Sequence, residues 1–163
     1  MNTELKHSFA PLIDQEAKIL ILGSIPGDKS IELQEYYGHA QNRFWRVLTA
    51  ICGYETVPTD YLSKKSILIQ NKIALWDVAH KANRKGSLDS AIRDEEPNDI
   101  ASLLEKYPTI KTIAFNGKKA EQLYDRYFQR SLHIKYLSMP STSPANAIYQ
   151  LDLLSQKWSA LRG

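Results

Sequence analysis

Four short apolar runs punctuate the chain: residues 18–22 (KILIL), 73–76 (IALW), 112–115 (TIAF) and 134–137 (IKYL). Runs this short and this continuous fit strands covered on both faces, as in a buried parallel sheet. Between them apolar residues recur at helical spacing. Residues 42–51 carry Phe44, Trp45, Val47, Leu48 and Ile51, with Cys52 just beyond. Residues 60–71 place Leu62, Ile67 and Ile69 less regularly, and residues 99–107 carry Ile100, Leu103, Leu104 and Tyr107 ahead of Pro108, a common helix stop. Residues 118–128 and 146–161 repeat the pattern with Leu123, Tyr124, Tyr127 and Phe128, and with Leu151, Leu154, Trp158 and Leu161. Strands alternating with helices predict an α/β fold with a mainly parallel sheet and right-handed crossovers. With no flexible linker, low-complexity tract or internal repeat, a single domain over residues 1–163 is expected.

In such sheets ligands collect outside the carboxyl ends of the strands. That rule selects residues 23–30, 77–84, 116–118 and 139–147, together with the aromatic segment before the 42–51 helix. The first loop, GSIPGDKS, offers Gly23, Ser24, Ile25, Pro26, Gly27 and Ser30. Its glycines let backbone approach a ligand and its proline stiffens the turn, yet it matches neither common phosphate fingerprint. A plain strand-to-helix turn explains it equally well. YYGHAQNRFW packs Tyr36, Tyr37, His39, Asn42, Phe44 and Trp45 into ten residues. Aromatics stack on bases and an amide both donates and accepts, although Asn42 could simply cap the helix after it and His39 could be structural. Asp77 closes the second strand ahead of a polar, basic loop and is either a site residue or a cap or salt-bridge partner. Asn116-Gly117 suits a tight turn as well as base recognition, and Lys118 follows. MPSTSPANA is a stiff, donor-rich loop in which Ser141, Thr142, Ser143, Pro144, Ala145 and Asn146 could meet phosphate, or merely connect and cap.

Composition narrows the class. Hydrophobic residues make up 43% of 163 and charged residues 24%, as in a globular protein, and no apolar run reaches the length of a membrane helix. The first residues lack the basic start and apolar stretch of a secretory signal, so a cytoplasmic protein is expected. The single cysteine, Cys52, cannot form an internal disulfide or a thiolate metal site. A net charge of +3, with basic pairs such as Arg43 with Arg46 and Lys118 with Lys119, is compatible with a polyanionic partner without establishing one.

Taken in order, GSIPG, YYGHAQNRFW, LWDVAH…GSLDSAI, FNGKKA and MPSTSPANA resemble the hypoxanthine-DNA (deoxyinosine) glycosylases of the uracil-DNA glycosylase superfamily, over residues 18–150. Each motif alone is weak; the ordered set is specific. The resemblance implies a three-layer α/β/α fold around a central four-stranded parallel sheet, with a groove at the carboxyl ends of its strands. It implies a monofunctional DNA glycosylase acting in base excision repair. The partner is DNA containing a deaminated base, and the product is an abasic site with free base. The superfamily's usual catalytic Asp or Asn of the first loop is absent, since residues 23–27 offer only Ser24. The branch's key asparagine falls on Asn42. Where the branch commonly has proline before the Gln-Asn pair, this chain has Ala40.

A base stacked in a duplex is out of reach, so the nucleotide must be flipped out. The expectation is that residues 139–145 and 23–27 grip the backbone, with Ser143 and the amides near Ala145–Asn146 at the start of the following helix on phosphate, that Tyr36, Tyr37 or Phe44 stacks on the base, and that backbone near Ile25, with Asp77 and Asn116, reads its edge. Asn42 cannot ionise near neutral pH, so it would orient water and stabilise charge, with His39 as a donor to the leaving base. No metal, cofactor, membrane or covalent lysine intermediate is expected, and a monomer is. Rival readings are a uracil or mismatched-thymine glycosylase, a non-catalytic DNA-binding module of the same fold, and a mononucleotide-binding α/β enzyme.

Overall fold

The computed structural model describes residues 5–162. Four strands, β2 (Ile19–Gly23), β3 (Ile73–Asp77), β6 (Thr112–Asn116) and β7 (Lys135–Met139), form a parallel sheet in the order β3-β2-β6-β7. They match the four apolar runs, each strand ending one or two residues beyond its run. The extension matters, because Gly23, Asp77, Asn116 and Met139 close the strands and lie at one edge: Gly23 pairs with Asp77 and Asn116 with Met139.

Side chains alternate across the sheet, and both faces are buried. Leu20, Leu22, Ala74, Ile113 and Phe115 point into one core with Ile100 and Leu103 of α4 (Ile100–Lys106) and Ala120, Leu123 and Tyr124 of α5 (Lys118–Tyr127). Ile21, Ile73, Leu75 and Ala114 point into the other. There they meet α2 (Phe44–Ile51), α3 (Tyr61–Gln70) and α6 (Leu151–Trp158) through Phe44, Val47, Leu48, Leu68, Leu154 and Trp158. The result is a three-layer α/β/α arrangement, as the apolar pattern and the resemblance imply.

Two segments depart from the sequence reading. The polar stretch after Asp77, expected to be a loop, contains β4 (Ala79–Asn83) and, further on, β5 (Arg93–Pro97). With β1 (Leu5–His7) they form an antiparallel sheet in the order β1-β4-β5. Ala79 and Ala82 are its contribution to the core, and the buried Asn98 side chain donates to the carbonyls of Asp77 and Ala79. The loop expected at residues 23–30 ends early, in α1 (Asp28–Leu33). The last helix begins at Leu151 rather than Asn146 and passes into a 3-10 turn at Ser159–Arg162.

Candidate active site

Gly23 is the floor on which the polar groups converge. A Cβ there would lie 2.7 Å from Asp77 Oδ1 and 3.1 Å from the Tyr37 hydroxyl. Only a residue without a side chain lets a carboxyl from β3 and a phenol from the α1–α2 loop approach the end of β2 together. Tyr37 itself sits in the left-handed region at φ 54°, where a bulky residue persists only if its surroundings hold it there. They do: its ring stacks on Phe44 at 4.0 Å and 19°, and its hydroxyl meets Asn116. Burial, and secondarily the Asp77 charge, push the phenol up, so it is a neutral hydroxyl at any working pH.

Asp77 is 4% exposed. Burial raises its pKa to about 7; hydrogen bonding from Ser8 and attraction to Arg84 pull against that, while Asp89 adds to it. The Ser8 hydroxyl donates to Oδ2 at 3.0 Å, and Oδ1 carries no hydrogen bond among the described residues. No buried side-chain polar atom is left without a partner among them, so Oδ1 keeps some solvent access and is free to take a further partner. A carboxyl oxygen accepting a hydrogen bond is the poorer place for the acidic proton, so while Ser8 donates to Oδ2 the proton of the neutral acid belongs on Oδ1; the Phe9 carbonyl, at 3.3 Å, is the alternative acceptor for the Ser8 hydroxyl.

Asn42 lies two residues ahead of α2 and does cap it: its Oδ1 accepts from Phe44 N at 2.9 Å. The same oxygen accepts from the Thr142 hydroxyl at 2.9 Å. Both lone pairs are therefore occupied, and the amide is available to a substrate through Nδ2 alone. Thr142, wholly buried, exchanges two further bonds with Asn116: Asn116 Nδ2 donates to Thr142 Oγ1 and Thr142 N donates to Asn116 Oδ1, both at 3.0 Å. Arg43 binds this segment to α2. Its backbone N–H and Nε reach Thr142 O, Nη2 reaches Ser143 O and Asn146 O, and Nη1 reaches Tyr149 O. Five donors in a planar fork suit one side chain to gathering several carbonyls.

The first loop is fixed from the other side. Ser24 donates to Asp89 Oδ1 at 2.7 Å, buried Arg84 donates to Pro26 O, and Asp28 N donates to Ser87 Oγ. Ile25 packs its side chain in the core, while its N–H has no hydrogen bond among the described residues.

Tyr37, Asn42, Asp77, Asn116, Gly23 and Thr142 thus come together, as the strand-end rule expects. Several other expected site residues are placed otherwise. Phe44 is fully buried, so it backs Tyr37 and cannot itself stack on a base. Ser30 is buried in α1, where its hydroxyl accepts from Gly38 N instead of facing DNA. Ser24 has spent its proton on Asp89. His39 is exposed outside the cluster, its Nδ1 accepting from Gln41 N at 3.0 Å. The amides of Ala145 and Asn146, expected to be free at a helix start, already donate to Ser143 Oγ and Ser143 O, because the helix starts later. Ser141 packs against Gly117, and Lys118 stands exposed at the start of α5. Pro144 and Ala145 are exposed, and Ser143 is half-buried. Sequence reasoning missed Ser8, and it saw Arg43 only as charge. Ser8 reaches Asp77 across 69 residues and Arg43 reaches Tyr149 across 106, separations that leave no local signal.

Comparisons with known proteins give the family and the fold. The profile of the Uracil DNA glycosylase superfamily matches residues 10–162. The Hypoxanthine DNA glycosylase of Methanosarcina acetivorans is 39% identical over 157 residues, covering 96% of this chain and 98% of that one. Its counterpart from Methanosarcina barkeri is 45% identical over 115 residues, 71% of this chain and 73% of that one. Among solved structures, the solution NMR structure of a candidate uracil DNA glycosylase from Methanosarcina acetivorans superposes with a TM-score of 0.84 at 38% identity, covering 96% of each chain. A superfamily profile spanning almost the whole chain and full-length relatives at this identity establish descent, and the chain belongs to the Uracil DNA glycosylase superfamily.

Proposed function

We propose that this protein is a DNA glycosylase that hydrolyses the N-glycosidic bond of a flipped deaminated base, with hypoxanthine in DNA as its substrate. The observation that carries this reading is the meeting at the strand ends of the buried Asp77 carboxyl, whose Oδ1 has no hydrogen bond among the described residues, with the Tyr37 hydroxyl and the Asn116–Thr142–Asn42 series; burial favours the neutral acid. Similarity to two Hypoxanthine DNA glycosylases supports the choice of base.

Deamination of adenine replaces an amino donor at position 6 with a carbonyl acceptor. On that edge hypoxanthine, like guanine, shows two acceptors, whereas adenine shows one acceptor and a donor. Protonated Asp77 Oδ1 donates to the carbonyl. Against adenine the same O–H meets an N–H. A site built to hydrogen-bond one partner rejects another that leaves its buried groups unpaired. Tyr37, supported by Phe44, is the stacking surface for the base. The free Ile25 N–H is a second donor for its edge.

As the glycosidic bond breaks, the sugar gains positive charge and the base negative charge. Asn42 has its oxygen held by Phe44 N and Thr142, so its Nδ2 protons are fixed toward the groove. They hydrogen-bond the departing base or the oxygen of the attacking water, which is stabilisation by a dipole already in place. In this reading Lys118, Ser143 and the turn at Pro144–Ala145 contact the DNA backbone, which the exposure of Lys118, Pro144 and Ala145 supports. On the same loop Ile148 is 83% exposed. An apolar side chain so placed fills the gap that a flipped base leaves.

Base release from duplexes containing deoxyinosine, deoxyuridine or a G·T mismatch, with wild type and Asn42→Ala, tests the reading. Hypoxanthine release by wild type, reduced about 100-fold or more in the variant as for loss of an oxyanion-type donor, is the expected result. The carbonyl-reading geometry also fits uracil, so release of uracil alone would keep the enzyme class and overturn the substrate. DNA binding without release from any duplex would leave a non-catalytic module.

A further inference from the structure

We infer that Thr142 is a positioning residue that sets the orientation of the Asn42 amide and ties it to the 140–150 loop; the inference rests on the reading of Asn42 given above. A threonine hydroxyl has one proton. Asn116 Nδ2 can only donate, so Thr142 Oγ1 must accept from it, and its own proton must go to the other neighbour, Asn42 Oδ1. Asn116 is oriented in turn, because its Oδ1 accepts the backbone N–H of Thr142, a donor with no alternative direction. Direction is therefore imposed along the whole chain from Thr142 N through Asn116 and Thr142 Oγ1 to Asn42.

At Asn42 the consequence is chemical. Its oxygen faces two donors, the Thr142 hydroxyl and Phe44 N, at 2.9 Å each. A flipped amide would set an N–H against both. The flip is excluded, and Nδ2 stays directed at the groove. Donation into the oxygen also polarises the amide, so its N–H groups become better donors at the moment charge builds on the base. The serial bonds are wholly buried at Thr142, where low dielectric strengthens them.

Thr142 also connects this amide to the loop proposed to meet DNA. Its carbonyl accepts from Arg43 N at 3.1 Å and Nε at 3.4 Å, while the Arg43 guanidinium holds Ser143 and Asn146 of the same loop. The loop cannot shift without moving the residue next to Asn42. Engagement of DNA by this segment thus bears directly on the geometry of the catalytic amide.

The test compares Thr142→Val, which keeps the shape and removes the hydroxyl, with Thr142→Ser, which keeps the hydroxyl, on a duplex carrying deoxyinosine opposite thymine. Single-turnover release, the Kd for that duplex and Tm are measured in wild-type and Asn42→Ala backgrounds. Thr142→Val is expected to slow release about 10-fold or more with Kd changed less than about 2-fold, Thr142→Ser to restore most of the rate, and Thr142→Val to add less than about 2-fold once Asn42 is alanine. If valine does not fold, Thr142→Ala removes the same hydroxyl and carries the same expectations. Equal slowing in both backgrounds, or no rescue by serine, or a loss confined to Kd, would overturn the positioning role while Asn42 stood. Wild-type release by Asn42→Ala itself would overturn the reading of Asn42 and Thr142's role with it.

Discussion

Burial makes ionisation of Asp77 costly to the fold, and Asp77→Asn makes that cost measurable. Its folded pKa of about 7 lies above the ordinary carboxyl value of 3.8. The folded state therefore binds this proton more tightly than the unfolded state, and the stabilisation is fully present below pH 3.8 and lost as pH rises through about 7. The rise from 3.8 to about 7, at ~1.4 kcal/mol per pH unit, places the total near 4 kcal/mol, an upper bound for a carboxyl that is 4% exposed. Asparagine keeps the Ser8 bond through its amide oxygen and never ionises. The variant should therefore gain on wild type by about 2–3 kcal/mol between about pH 5 and about pH 8.5, read by urea denaturation at each pH. Its NH2 then occupies the place of the Oδ1 proton and can still donate to the carbonyl of hypoxanthine. Single-turnover release by wild type should fall about 10-fold per pH unit above about 7, while Asp77→Asn shows no such decline. A stability difference that is flat with pH would show that Asp77 is ionised in the fold. Superimposable rate profiles would show that its proton plays no part in reading the base.

Gly23→Ala places a methyl group 2.7 Å from Asp77 Oδ1; the carboxyl must move off Ser8, and the expected result is a loss of about 1–3 kcal/mol in stability with loss of hypoxanthine release, checked by denaturation and by oligonucleotide cleavage. Ile148→Ala should leave stability within about 0.5 kcal/mol because the side chain is exposed, yet slow release from duplex more than from single-stranded DNA; equal rates on both substrates would remove Ile148 as the wedge.

The parallel sheet was legible because burial on both faces leaves each strand an almost unbroken apolar word, and a chain with four such words has few other ways to bury them. The antiparallel sheet was not. β4 reads Ala-His-Lys-Ala-Asn and β5 reads Arg-Asp-Glu-Glu-Pro. Two alanines are all that β4 gives to the core, so neither strand carries a period-2 signal. Their pairing comes from tertiary closure, with Ala79 and Ala82 against the core and the Asn98 amide bridging the carbonyls of Asp77 and Ala79. Local propensity was overridden by context. The site divides along the same line. Asp77, Asn116 and Gly23 were found because strand ends are where ligands collect, and Asn42 because it stands in a dense aromatic segment. Phe44 and Ser30 were placed too near the substrate, since proximity in sequence to a site residue says nothing about which face of a helix a side chain takes.

The loops carry many hydrogen-bonding groups, and the structure separates those that build the site from those that serve it. Arg43, Arg84 and Ser24 spend side-chain bonds on neighbouring segments, and Ser141 and Asn146 spend theirs within their own loop. Their work is to stop the loops from moving, and a polar group so employed has little left for a ligand. At the strand ends Asp77 Oδ1, Asn42 Nδ2 and the Ile25 N–H are among the groups with no hydrogen bond among the described residues. Each is held by a partner that fixes its direction, namely Ser8 on the other carboxyl oxygen, Thr142 and Phe44 on the amide oxygen, and the core around the Ile25 side chain. In water a flexible donor must reorganise before it can stabilise a developing charge. Here that cost was met when the chain folded. In the proposed reading an acid donor, an amide donor and a backbone donor beside an aromatic platform serve a base whose deamination has turned a donor into an acceptor.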